Sequence, residues 1–103
     1  MKIVAVCACP TGVAHTYMAK SSLEQAALKL GHEIKVEAQG ALGIENEITM
    51  DEVKEADVVI LAIEVGIAKM DRFENKPTVK VAIQSAVKSP ETLLKKIEEK
   101  LQG

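Results

Sequence analysis

Residues 3–16, Ile-Val-Ala-Val-Cys-Ala-Cys-Pro-Thr-Gly-Val-Ala-His-Thr, contain the signals for a strand, a turn and a helix in that order. The unbroken apolar run from Ile3 to Val6 predicts a buried β-strand. Pro10 and Gly12 then predict a turn, and a helical pattern begins directly after it. A strand that passes through a short turn into a helix is typical of an α/β fold.

The alternation of strand and helix continues to the end of the chain. Strands are predicted over residues 2–7, 33–38, 57–63 and 78–83. Helices are predicted over residues 13–30, from the capping box Thr49-Met50-Asp51-Glu52 onward, and from the pair Ser89-Pro90 onward. The residues of the first helix expected to be buried are Ala19, Leu23, Ala26, Ala27 and Leu30. Those of the last helix are Leu94, Ile97 and Leu101.

The distribution of charge among the strands indicates their order in the sheet. The first and third strands are nearly continuous apolar runs, as expected for central strands that are covered on both faces. The second strand places Glu33, Lys35 and Glu37 on one face, and the fourth contains Lys80, which is typical of edge strands. The sequence therefore predicts an α/β fold with an open four-stranded parallel sheet of order 2-1-3-4. Helices would cover both faces, giving a Rossmann-like three-layer architecture.

In this order the chain changes direction between the first and third strands. Ligands bind beyond the carboxyl ends of parallel strands at such a point. The loop that carries Cys9 lies there, as do the turns that follow the second and third strands. The candidate supporting residues in those turns are Gln39, Gly40, Glu64 and Arg72.

Composition and charge exclude several functional classes. The chain of 103 residues, with 48% apolar and 27% charged residues, suits a single globular domain spanning residues 1–103. An aromatic content of 2% and a net charge of -2 argue against a nucleic-acid partner, which needs stacking rings and a basic surface. No apolar run approaches the ~20 residues of a membrane span, and no signal peptide is recognised. We therefore expect a cytoplasmic protein without direct membrane insertion.

Cys9 is the candidate reactive residue. It follows a strand and precedes a helix, so its thiol is expected to face backbone N–H groups and the positive end of the helix dipole. Both features lower the pKa of a cysteine and attract anions, which suits a thiolate nucleophile that handles a phosphoryl group. Cys7 lies within the strand and is interpreted as a small buried hydrophobe.

The residues that follow Cys9 are the candidate phosphate-binding loop. Gly12 either allows close approach of a ligand to the backbone or forms a plain turn. Thr11 and Thr16 either donate hydrogen bonds to phosphate or cap the helix. His15 is a thiolate partner, a phosphate donor or an ordinary first-turn residue. The loop comprises Pro10, Thr11, Gly12, Val13, Ala14, His15 and Thr16.

Two other functions use cysteine in a comparable place. A cysteine phosphatase has arginine after five loop residues, because the guanidinium clamps phosphate, but His15 stands at that position here. A metal or redox module would combine Cys7 with Cys9, although two ligands are an incomplete metal site and the redox motif is Cys-x-x-Cys. A small phosphatase and, less favoured, a Cys-x-Cys module remain alternatives. No metal and no cofactor is predicted.

The string from Cys9 to Ala19, Cys-Pro-Thr-Gly-Val-Ala-His-Thr-Tyr-Met-Ala, resembles the enzyme IIB component of the bacterial sugar phosphotransferase system, in its fructose-specific branch. The resemblance continues through residues 36–40, 43–46, 56–62 and 71–73 and so covers most of the chain. It implies that Cys9 accepts a phosphoryl group from a phosphohistidine of the IIA component. The group would then pass to a sugar, by default fructose, held by the IIC membrane transporter. This implies a location at the cytoplasmic face of that transporter.

Overall fold

The structure, a computed structural model, describes residues 1–9, 13–40 and 43–102. In these residues the strands are β1 (Lys2–Ala8), β2 (Glu33–Gly40), β3 (Gly43–Glu45), β4 (Val58–Ile63) and β5 (Thr78–Val81). The helices are α1 (Val13–Leu30), α2 (Met50–Glu55), α3 (Ile83–Lys88) and α4 (Pro90–Gln102), with a short 3₁₀ helix over Met70–Phe73. The four predicted strands correspond to β1, β2, β4 and β5.

The described strands form one sheet of order β3-β2-β1-β4-β5. β1, β2, β4 and β5 are mutually parallel, so the predicted α/β fold and parallel order are confirmed. The prediction of four strands is wrong, because β3 adds an antiparallel strand beside β2 and places Ile44 opposite Gln39. β3 has only three residues, which is too few for an alternating pattern to identify a strand. Its presence means that the carboxyl end of β2 is not a sheet edge.

The segment after β5 is a helix where the sequence predicts a continued strand. β5 ends at Val81, and α3 begins at Ile83, the last residue of the predicted strand. Ile83 and Ala86 are buried and belong to the core between the sheet and α1. A short strand followed by a short helix has the same apolar composition as one longer strand, so the pattern did not separate them.

One face of the sheet packs against α1, which also contacts α3 and α4, and buried residues of all three helices share one core with the strands. The predicted helix residues Ala19, Leu23, Ala26 and Ala27 are buried there, and Leu30 is half-buried. In α4 the predicted burial of Leu94 and Ile97 is confirmed. The predicted burial of Leu101 is wrong: it is 40% exposed, because it lies in the last turn of α4, beyond the last buried residue, Ile97.

The opposite face of the sheet packs against α2 and the 3₁₀ helix. The capping box of α2 is confirmed: the Thr49 hydroxyl accepts the Glu52 N–H at 3.2 Å, and the Glu52 carboxylate accepts the Thr49 N–H at 2.8 Å. Ile48, Val53 and Phe73 are buried against this face. Helices therefore cover both faces, as the three-layer prediction requires.

The two leucines of α1 provide a test of this packing. Leu23 is fully buried and Leu28 is 80% exposed. We expect Leu23→Ala to lower the free energy of unfolding by ~2–5 kcal/mol, because it leaves a cavity under the sheet. The matched variant Leu28→Ala should change it by less than about 0.5 kcal/mol. Urea unfolding of both variants measures the difference, and equal losses would contradict this placement of α1.

Candidate active site

Three segments meet at the carboxyl ends of the central strands. Cys9 directly follows β1 and is half-buried against the core beneath α1. The backbone N–H of Glu64, the first residue after β4, donates to the Ala8 carbonyl at 3.1 Å. Gln39 of β2 lies opposite Ala8 in the parallel register. The sequence predicts that these three segments meet at one edge of the sheet, and the contacts of Ala8 with Glu64 and Gln39 confirm it.

The first turn of α1 follows Cys9 closely. α1 begins at Val13 and contains no acidic residue in its first turn, so no side chain of that turn offsets the positive end of the helix dipole. Ala14 and His15 are exposed, whereas Thr16 is buried. The expectations for residues 10–12 and for the Val13 side chain lie outside the described part of the chain.

Cys7 is fully buried within β1, which confirms its interpretation as a small core residue. Burial raises the pKa of its thiol to about 12, with a further upward contribution from Glu24 that Lys20 partly offsets. Metal binding and disulfide exchange both require the thiolate. The neutral Cys7 thiol is therefore a poor partner for Cys9 in a Cys-x-Cys metal or redox site.

Arg72 is buried and paired, and it is not the solvated surface charge that a turn position would suggest. Its Nη1 and Nη2 donate to the two carboxylate oxygens of Glu37 at 2.7 and 2.6 Å. Nη1 also donates to the Ile48 carbonyl at 2.9 Å. The guanidinium carbon lies 4.6 Å from the centre of the Phe73 ring. Both terminal nitrogens of Arg72 are therefore committed to partners within the protein.

The charged residues of β2 are expected to lie exposed at a sheet edge, and this expectation is wrong at Glu37. Glu33 is exposed and Lys35 half-buried, but Glu37 is fully buried. Burial would raise the pKa of Glu37, but hydrogen bonds from Arg72, Gln39 and the Ile48 N–H, together with the Arg72 charge, outweigh it and lower the pKa. Alternation along a strand identifies the face of a residue but not the segment that covers it, so the pattern gave no sign of this pair.

The other supporting residues have different environments. Gln39 is half-buried and bonded to both Glu37 and Ala68, whereas Gly40 and Glu64 are exposed at the same edge. One contact was missed from the sequence altogether: Tyr17 of α1 hydrogen-bonds to the Glu45 side chain, which raises the pKa of the tyrosine. Glu45 belongs to β3, the strand that the pattern did not predict, so no signal pointed to this contact.

The comparisons with known proteins agree with this architecture. Residues 4–96 match the family model described as "PTS system, Lactose/Cellobiose specific IIB subunit", where PTS stands for phosphotransferase system. The chain belongs to the phosphotransferase-system IIB family. IIB components act as phosphotransferases in sugar phosphorylation. None of the helices in residues 13–40 and 43–102 is long and apolar enough to cross a membrane.

Two of the following three relatives of this IIB chain are named as fructose-like or fructose-specific components. It is 53% identical over 97 residues to "PTS system fructose-like EIIB component 2" of Escherichia coli K12, covering 94% of this chain and 92% of that protein. The solution structure of an Escherichia coli K12 enzyme IIB subunit has a TM-score of 0.92 at 40% identity, covering 98% and 94% of the two chains. A domain of the fructose-specific IIABC component of Borrelia burgdorferi has a TM-score of 0.86 at 49% identity, covering 92% and 90%. The resemblance seen in the sequence is thereby confirmed.

The lowered pKa of Glu37 predicts how the stability of this IIB chain depends on pH. A carboxyl whose pKa is depressed by folding contributes stability above its unfolded pKa, about 4.3, and loses it as pH falls through the lower folded value. We therefore expect acid to destabilise the wild type more steeply than Glu37→Gln below that pH. Exposed Glu33 on the same strand gives the control, since Glu33→Gln should follow the wild type. Urea midpoints measured from neutral pH downward decide this, and parallel curves for wild type and Glu37→Gln would refute it.

Proposed function

We propose that this IIB chain is a phosphoryl relay in which Cys9 carries the phosphate. Cys9 accepts the group from a phosphohistidine of the IIA component and passes it to a sugar bound by the IIC membrane component. The observation that carries the proposal is the position of Cys9, between the carboxyl end of β1 and the start of the 18-residue helix α1. Backbone N–H groups at a helix start favour both a thiolate and a bound phosphate.

The first step is an in-line displacement at phosphorus. The Cys9 thiolate attacks, the S–P bond forms, and the P–N bond to the donor histidine breaks. Backbone N–H groups of residues 11–15 are proposed to cradle the phosphate oxygens, so positioning and charge stabilisation supply most of the catalysis. His15, exposed in the first turn of α1, and Thr16, buried beside it, are the first candidates for tuning the phosphorylated state.

The second step returns the thiolate. A sugar hydroxyl attacks the phosphocysteine phosphorus, the O–P bond forms as the S–P bond breaks, and the hydroxyl proton is released to solvent. Fructose is the sugar we propose, since the relatives are named as components of fructose-like systems. Donor and acceptor use the same sulfur in turn, so both are expected to dock around the edge that holds Cys9, on the cytoplasmic side of the transporter.

The contacts of the single arginine favour a relay over a phosphatase. Arg72 is the only arginine in the sequence, and both of its terminal nitrogens bind Glu37. The bidentate clamp that a cysteine phosphatase places on its substrate therefore has no available guanidinium in this fold. A phosphocysteine that is held and not hydrolysed is what a relay requires.

Intact mass measurement tests the proposal. After incubation with the general phosphotransferase proteins, the matching IIA and phosphoenolpyruvate, we expect one phosphate on the wild type and none on Cys9→Ser. Cys7→Ala is the matched control: it should gain phosphate normally, with a packing cost of about 1 kcal/mol in stability. An unphosphorylated wild type beside a demonstrably phosphorylated IIA, or phosphate uptake by Cys9→Ser, would contradict the proposal.

A further inference from the structure

The segment after β4 lies across the end of the strand that delivers Cys9. Ile63 is in register with Ala8, the residue before Cys9, and the next N–H, from Glu64, donates to the Ala8 carbonyl. The chain then continues through exposed or half-buried residues to Ala68 before it enters the 3₁₀ helix. Segment 64–68 therefore starts with a backbone hydrogen bond to the residue that leads directly into Cys9.

Gln39 holds this segment from the other side of β1. Its Oε1 accepts the Ala68 N–H at 2.9 Å, and its Nε2 donates to the Ala68 carbonyl at 3.2 Å. The side-chain amide thus pairs with both polar groups of one residue, as a neighbouring strand would. β1 lies between β2 and β4 in the sheet. These bonds therefore link β2 to the segment that follows β4, near the end of β1 at Ala8.

Gln39 is itself held by the buried ion pair. Its Nε2 also donates to Glu37 at 2.7 Å, and the same carboxylate binds Arg72. Ala68 and Arg72 are therefore both anchored to β2. Between them Lys69 adopts a left-handed conformation, with φ of 59°. Residues other than glycine rarely adopt this conformation, because the side chain crowds the backbone. It persists where contacts on both sides hold the backbone in place.

We propose that Gln39 is a positioning residue for Cys9, which fixes segment 64–68 against the end of β1 through its paired hydrogen bonds to Ala68. The inference rests on the proposed phosphoryl relay. Phosphoryl transfer depends on near-attack geometry, and a shift of about 1 Å caused outside the reacting groups can slow a reaction by about 10²-fold. Gln39 acts through the segment that it holds and need not touch the phosphate.

Replacement by methionine tests this role. Gln39→Met keeps the length of the side chain but removes the donor and the acceptor. Gln25→Met is the matched control, because Gln25 is exposed on α1 and, in the part of the chain that the structure describes, its side chain hydrogen-bonds to the neighbouring Ser21 of the same helix. Gln39→Asn retains the amide on a stem one methylene shorter, which cannot reproduce both bonds to Ala68.

The first readout is the rate of phosphate transfer from phosphorylated IIA. For both Gln39 variants we expect the rate constant at saturating donor to fall by about tenfold or more, with the half-saturating donor concentration changed by less than about twofold. Gln25→Met should match the wild type. The positioning role would be overturned by unchanged transfer in the Gln39 variants. It would also be overturned if only the half-saturating donor concentration rose while the rate constant at saturating donor stayed the same.

A second readout needs no donor and separates this inference from the proposed function. Alkylation of Cys9 by iodoacetamide, followed by fragment mass analysis, should be several-fold faster in Gln39→Met and Gln39→Asn than in Gln25→Met. If the wild type takes no phosphate but this difference is seen, the relay fails and the positioning role stands. If the wild type takes phosphate and the Gln39 variants match it in both assays, the relay stands and the positioning role fails. Equal alkylation rates in a chain that takes no phosphate refute both.

Discussion

The carboxylate of Glu37 has to be neutralised where it lies, because it is fully buried within β2. A buried charge of this kind is tolerated only when an opposite charge and hydrogen bonds replace its water. Arg72 supplies two of those bonds and the charge, and Gln39 and the Ile48 N–H supply the others. One side chain therefore joins the central part of the sheet, the entry to α2 and the 3₁₀ helix.

This constraint connects the folding of the sheet to the chemistry at its edge. The parallel strands deliver Cys9 to the start of α1, while the contacts of Glu37 and Gln39 fix the segment that starts beside the end of β1. In the positioning role that we propose for Gln39, residues remote in sequence thus hold the thiol at the end of β1 in place. A protein that carries a phosphoryl group between two partners needs such a fixed acceptor, since each partner must reach the same sulfur.

The sequence predicts the strand order, because apolar and charged residues are distributed differently among the four parallel strands. It also predicts the capping box at Thr49 and the place of Cys9, since both depend on residues close together in the chain. It does not predict β3, which is too short to have a pattern, or the Glu37–Arg72 pair. Those two residues are 35 positions apart, and only the folded chain shows that the 3₁₀ helix covers the end of β2. The roles of residues 10–16 remain predictions.

The central claim is that phosphate on Cys9 is carried and not hydrolysed. Its most direct test is the return of the group to its donor. Isolated phosphorylated chain, freed of phosphoenolpyruvate and of the general phosphotransferase proteins, is mixed with unphosphorylated IIA, and the phosphate on each protein is followed by intact mass. The relay predicts that phosphate appears on the IIA histidine as it leaves Cys9. Loss of phosphate from the chain as inorganic phosphate, with none gained by IIA, would contradict it.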